Sequence, residues 1–173
     1  MRALIRTVPD FPSPGIQFRD ISTLLADRAG FAATIDALAG LVKGESFAAV
    51  AGIEARGFVF GAALAMRLDA GFIPLRKPGK LPVATIGEDY ALEYGSARLE
   101  CDPTVVPESG NILLVDDLIA TGGTARAGAS LLRRAGGKCT RAVFVIDLPD
   151  LGGADALMGD GVEVSALLAY SGH

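Results

Sequence analysis

Imidazole and thiolate are nearly missing from this chain. Its only histidine is the final residue, His173, and its two cysteines, Cys101 and Cys139, stand far apart without CxxC spacing. Neither a disulfide framework nor a Cys/His metal cage can be built from them, and both cysteines are expected to be reduced. Long apolar runs are missing too. The longest, Gly57 to Met66, is bounded by Arg56 and Arg67 and falls well short of the roughly 20 residues that span a bilayer, so no membrane span is expected. The N-terminal MRALIRTVPDF holds no apolar stretch of secretory length, which points to a cytoplasmic protein. Positive charge is in deficit: a formal net charge of −4 argues against nucleic-acid binding, which needs a basic face. Any anionic ligand must then be met by local cations, and Arg76, Lys77 and Lys80 form one such cluster.

What is present is a core. Half of the 173 residues are hydrophobic, enough for one domain without staples, and no repeat, low-complexity tract or linker divides it. The apolar pattern alternates strand and helix. Asp27 to Lys43 carries Phe31, Ile35, Leu38 and Val42 at helical spacing, with Asp27 placed to cap the start. Ala48 to Ile53, Gly71 to Leu75, Ile112 to Val115, Ala142 to Ile146 and Val164 to Leu168 read as buried strands; Gly57 to Leu68 and Gly123 to Ala135 read as helices. This order predicts an α/β fold, a central parallel sheet flanked by helices with right-handed crossovers. Pro9 to Ser22, rich in Pro and Gly yet holding Phe11, Ile16 and Phe18, is expected to form a structured cap. Leu81 to Cys101, broken by Gly87 and Gly95, is expected to be a mobile, hairpin-like excursion.

The chemistry concentrates in LLVDDLIATGGT, Leu113 to Thr124. A buried strand runs into two carboxylates and then into a small, hydroxylic, glycine-rich turn that opens a helix. Ligands of open parallel sheets collect beyond the carboxyl ends of the strands, where Asp116 and Asp117 are expected to sit. Thr121, Gly122, Gly123 and Thr124 offer backbone amides and hydroxyls at the positive end of the helix, which suits a phosphate monoester. The helix field contributes only about 0.3 to 1 kcal/mol to an exposed anion, so the hydrogen bonds must provide most of the grip. Two aspartates beside that cradle can accept from the vicinal hydroxyls of the same sugar and favour positive charge developing on its ring. Taken singly, DD is an ordinary solvated strand end and TGGT a plain turn; in this order they spell ribose 5-phosphate.

Val115 to Thr124 resembles the phosphoribosyl pyrophosphate signature of the type I phosphoribosyltransferases, in particular the branch that acts on adenine. The likeness extends through PDFPSPGIQFRDI (Pro9 to Ile21), GIEARGF (Gly52 to Phe58), RKPGKLP (Arg76 to Pro82), LEYG (Leu92 to Gly95) and the closing SGH. It implies a single phosphoribosyltransferase domain with an N-terminal hood over 1–22 and a flexible loop region over 77–101. It also implies a pentosyltransferase that moves ribose 5-phosphate from phosphoribosyl pyrophosphate to adenine, giving AMP and pyrophosphate in purine salvage.

By that resemblance Asp116 and Asp117 hold the ribose hydroxyls, and Ala120, Thr121, Gly122, Gly123 and Thr124 hold the 5-phosphate. Glu54, Ala55 and Arg56 form the pyrophosphate loop, assisted by Arg76, Lys77 and Lys80 near a homodimer interface, although an ordinary solvated basic run would look the same. Gln17, Phe18 and Arg56 meet the base, and Glu93 in the closing loop exchanges a proton with it, help worth roughly 100 to 10,000-fold. Tyr90 or Tyr94 packs that lid. Magnesium is expected through substrate pyrophosphate, ribose and water rather than through a protein cage. One departure matters: Ala120 stands where relatives acting on 6-oxopurines carry an aspartate, which disfavours hypoxanthine and guanine. Two alternatives stay open at this level, a transferase for xanthine or orotate and a sugar-phosphate-binding regulator without catalysis.

Overall fold

The computed structural model describes residues 1–91 and 95–172. The chain opens with a short antiparallel hairpin, β1 (Arg6–Pro9) and β2 (Gln17–Asp20), followed by α1 (Ser22–Ala26) and α2 (Arg28–Leu41). Asp27 caps α2 as its position predicts, its carboxylate accepting from the Gly30 amide at 2.6 Å. Next come β3 (Ala49–Ile53), α3 (Arg56–Arg67) and β4 (Gly71–Leu75), then an antiparallel ribbon of β5 (Ile86–Ala91) and β6 (Ser96–Cys101). The second half holds β7 (Asn111–Ile119), α4 (Gly123–Arg134), β8 (Lys138–Asp147), α5 (Gly153–Gly159) and β9 (Glu163–Ala169).

Five strands make one parallel sheet in the order β4-β3-β7-β8-β9. Its strands are apolar on both faces because both faces are covered. One face packs Val50, Leu113, Val115 and Val143 against Leu38, Phe60 and Leu64 of α2 and α3. The other packs Ala51, Leu114 and Phe144 against Ala127, Leu131 and Leu132 of α4 and Leu157 of α5. The foot of the β5–β6 ribbon belongs to that second core: Leu99 and Cys101 are buried. No helix among the described residues is long and apolar enough to cross a membrane.

Two elements extend past their predicted limits. β8 begins at Lys138 and runs to Asp147, and β7 continues beyond Val115 because Leu118 pairs with Ile146 and Ile119 with Asp147. Asp116 and Asp117 therefore lie inside a strand, not beyond its end as the sequence suggests. The strand pair β1–β2 and the helices α1 and α5 are too short to show a period.

Arg141 is a buried charge of the scaffold, only 5% exposed. It donates to the Leu41 carbonyl at 2.8 Å, to Ser165 Oγ at 3.0 Å and to Glu45 Oε1 at 3.2 Å, tying the end of α2 to β8 and β9. Arg141→Ala is expected to lower the unfolding free energy by about 2 to 3 kcal/mol, the scale of losing charge-assisted hydrogen bonds whose acceptors regain water. Urea denaturation reads this directly, and an unchanged midpoint contradicts it.

Candidate active site

β3 and β7 are parallel neighbours, so their carboxyl ends deliver two loops to one edge of the sheet. After β3, the Glu54–Ala55 peptide is cis and α3 starts at Arg56. A Cβ at Gly57 would lie 2.8 Å from Asp116 Oδ1 and 2.9 Å from the Val115 carbonyl oxygen. Only a residue without a side chain lets the first turn of α3 approach β7 this closely.

Asp116 Oδ1 accepts the Asp117 amide at 2.9 Å. Burial pushes the Asp116 carboxyl well above the usual range, and the Asp117 charge pushes the same way while Arg56 opposes it. Asp117, 2% exposed, is also raised, again by burial and again against Arg56. Its Oδ2 lies 3.0 Å from Arg56 Nη1. The guanidinium hydrogens do not align with it, and among the described residues it has no hydrogen-bond donor. Here is a buried carboxylate oxygen with a countercharge nearby and its hydrogen-bonding capacity unused, a costly arrangement unless a ligand donates to it.

Beyond β7 the chain turns through Gly122, held at φ 82°. A Cβ there would strike the Gly153 carbonyl oxygen at 2.7 Å, so both the backbone twist and the close approach demand glycine. The Gly153 amide in turn donates to the Ala120 carbonyl at 3.0 Å, bracing the loop on the start of α5. The first amide of α4 to bond back is Arg126, to Gly122 at 2.9 Å. Amides ahead of it have no partner within the helix and are aimed where an anion would sit.

These pieces enclose a cleft of about 270 Å³ lined by Glu54, Arg56, Tyr90, Asp116, Asp117 and Ala120 to Thr124. A second, more apolar cleft of about 860 Å³ opens beside it, between the hood residues Gln17 and Phe18 and a wall of Leu118, Leu148 and Leu151. Arg56, Leu118 and Ala120 line both. Arg56 is the physical link: its guanidinium stands 5.5 Å from the centre of the Phe18 ring while its Nη1 meets Asp117. Phe18 is held edge-on by Phe11 with ring centres 5.1 Å apart.

The phosphoribosyl transferase domain family matches residues 20–156. Adenine phosphoribosyltransferase of Novosphingobium aromaticivorans is 61% identical over 173 residues, covering 100% of this chain and 97% of the relative. The chain belongs to the adenine phosphoribosyltransferases. Solved members share its shape. The crystal structure of adenine phosphoribosyltransferase from Thermoanaerobacter pseudethanolicus superposes with a TM-score of 0.94 at 44% identity, over 98% of this chain and 97% of that one. The Saccharomyces cerevisiae adenine phosphoribosyltransferase, solved with an imino-altritol bisphosphate and adenine, gives 0.90 at 35% identity, over 96% of both chains.

In this adenine phosphoribosyltransferase fold, the residues expected around ribose and phosphate converge on the smaller cleft, and Gln17, Phe18 and Arg56 share the larger. Arg76, Lys77 and Lys80 line neither. Arg76 donates from Nε to Glu54 Oε2 at 3.0 Å, the Lys77 amide donates to the same oxygen at 2.8 Å, and both lysine side chains are exposed. The Arg76 hydrogen bond holds Glu54 below the usual carboxylate range. Glu54 is thus committed to bracing the basic segment. Glu93 and Tyr94 lie outside the described residues; among the described residues Tyr90 reaches the smaller cleft. Sequence reasoning missed Leu118, Leu148, Leu151 and Gly153. The leucines had one available signal: Leu148 and Leu151 flank Pro-Asp just past the carboxyl end of a parallel strand, the edge where ligands gather.

Proposed function

We propose that this chain transfers ribose 5-phosphate from phosphoribosyl pyrophosphate to adenine, releasing pyrophosphate and forming AMP. The observation that carries the reading is the junction of a largely apolar cleft and a polar cleft at Arg56, Leu118 and Ala120. A nucleotide has that division: base on one side, ribose phosphate on the other. The base lies between Phe18 and the leucine wall, with the Gln17 backbone reading its edge. The ribose hydroxyls donate to Asp116 and Asp117, filling the open capacity of Asp117 Oδ2, and the 5-phosphate takes the Thr121 to Thr124 amides and hydroxyls. The reacting carbon then falls near Arg56, with two carboxylates close enough to favour positive charge on the ring.

Departure of pyrophosphate is assisted by Arg56 in this account. Lys77 and Lys80, exposed and turned from the cleft of their own chain, suit a role in the neighbouring site of a homodimer. Glu93, carried over from the family resemblance, would exchange the proton on the imidazole side of the base. Magnesium, in this reading, would be held through the pyrophosphate, the ribose hydroxyls and water, and would offset the charge of the leaving pyrophosphate; among the described residues no cluster of three or more Asp, Glu, His or Cys could hold it alone. The two cysteines, free and buried, suit a reducing cytoplasmic setting.

The test is to supply the purified chain with phosphoribosyl pyrophosphate, magnesium and adenine. AMP and pyrophosphate should appear in equal amounts; pyrophosphate without AMP would mean that water, not a base, takes the sugar. Phe18→Ala should raise KM for adenine about tenfold, the scale of a lost aromatic stack with its buried area, and leave KM for phosphoribosyl pyrophosphate within about twofold. An unchanged adenine KM removes Phe18 from the base site.

A further inference from the structure

The hood is a two-stranded hairpin, and such a hairpin is marginal on its own. Something must fix it against the sheet if Phe18 is to stand at a constant height over the base cleft. The fixing comes from the far end of the chain. Just past β9 two guanidiniums lie over the ring of Tyr170, Arg2 at 4.4 Å from the ring centre and Arg19 at 4.6 Å. Arg19 belongs to β2, next to Phe18, and is only 9% exposed. Among the described residues no carboxylate pairs with it. Its Nη1 donates to Thr7 Oγ1 of β1 and its Nη2 donates to the Ser171 carbonyl at 3.1 Å, while its Nε has no acceptor.

A buried cation without a carboxylate must be held by π faces and carbonyl oxygens, and here the tail offers both. Arg2 adds a second strap, its Nη2 donating to the Ala169 carbonyl at 2.8 Å. The tail also grips the opposite wall of the cleft: the Gly172 amide donates to Asp150 Oδ2 at 2.8 Å, and Asp150 sits in the turn between the cleft-lining Leu148 and Leu151.

We infer that Tyr170, Ser171 and Gly172 are positioning residues for the base subsite, clamping the hood strand that carries Gln17 and Phe18 to the leucine wall facing it. The Arg19 side chain is the contact through which the clamp acts. None of these tail residues needs to touch the base. The inference rests on the proposed function for its kinetic consequence, but the clamp itself is a property of the free protein.

Three variants test it: Tyr170→Leu, which keeps apolar bulk and loses the π face; a chain ending at Tyr170, which loses the Ser171 carbonyl and the Gly172 amide; and Tyr170→Phe. The Tyr170 hydroxyl is buried without a partner, so phenylalanine keeps every contact that the clamp uses. The first variant should raise KM for adenine about tenfold, as loss of a desolvated cation–π contact would. The second should raise it by a similar factor through loss of the charge-assisted bond from Arg19 to the Ser171 carbonyl and of the Gly172–Asp150 bond, with KM for phosphoribosyl pyrophosphate unchanged within about twofold in both. Tyr170→Phe should match the parent. Hydrogen exchange without substrate is read in parallel: amides of 6–20 should exchange faster in the first two variants, with β3 and β7 unaffected. Faster hood exchange in a protein that does not turn over adenine would keep the clamp and sink the proposed function. Unchanged hood exchange, or equal rises in both KM values, overturns the clamp.

Discussion

Asp117→Ala is expected to leave a folded protein whose kcat/KM for nucleotide formation is lower by about 100 to 1,000-fold, the loss typical of deleting one preorganised group at a developing charge. The carboxylate is 2% exposed. Its assets are the 3.0 Å approach to Arg56 and the oxygen without a donor. Removing it takes away an acceptor for a ribose hydroxyl and a negative charge beside the reacting carbon, and it frees Arg56 to change its place beside Phe18. The defect should therefore appear in kcat and in KM for phosphoribosyl pyrophosphate, with the thermal midpoint retained. Turnover near that of the parent would remove Asp117 from the sugar site.

Asp116→Asn is expected to stabilise the fold while disabling the enzyme. The Asp116 carboxyl is pushed well above the ordinary range, first by burial and then by the charge of Asp117. A carboxyl whose folded value exceeds its unfolded value, about 3.9, contributes its full stability below the unfolded value. That contribution is lost as pH rises toward and through the folded value, because the unfolded chain releases a proton that the folded chain retains. At neutral pH the parent thus carries a cost that asparagine does not, and asparagine keeps an oxygen to accept the Asp117 amide. The melting temperature of Asp116→Asn at pH 7.5 should exceed that of the parent by about 3 °C or more, taking ~2 to 4 °C per kcal/mol for a chain of this size. The gap should close near pH 4. Asp20, lowered by hydrogen bonds from Ser22 and then Arg6, and Asp160, lowered by its hydrogen bond with Arg126, run the other way with pH but cancel in the difference between the two proteins. A variant less stable than the parent at pH 7.5 contradicts the assignment of Asp116 as a strained functional carboxyl.

The sheet was readable because its strands are short apolar runs, such as Ala49–Ile53, with all five residues buried, and because Asp27 and the Gly136 and Gly137 pair punctuate the helices. The sugar-phosphate half of the site was readable for a related reason: Asp116 to Thr124 is contiguous, so order along the chain already gives order in space. The base half was less so. Leu148 and Leu151 reach the cleft from the end of β8, more than a hundred residues from Phe18, and only their place just past the carboxyl end of a parallel strand marks them. That Arg76 pairs with Glu54 at 3.0 Å is not legible in the sequence, which shows a basic cluster but not the partner of each of its charges. The extension of β7 through Ile119 depends on its pairing with Ile146 and Asp147 of β8, partners that no local pattern in the strand itself announces.

The most direct test of the central claim is kcat/KM for nucleotide formation with adenine, hypoxanthine, guanine, xanthine and orotate, each supplied with phosphoribosyl pyrophosphate and magnesium. Turnover is expected with adenine and at least about 100-fold less with each of the others, the discrimination available when a buried hydrogen-bonding edge is mismatched. Comparable turnover with a 6-oxopurine or orotate would keep the sugar site and contradict the base site; no turnover with any base would contradict the proposed function.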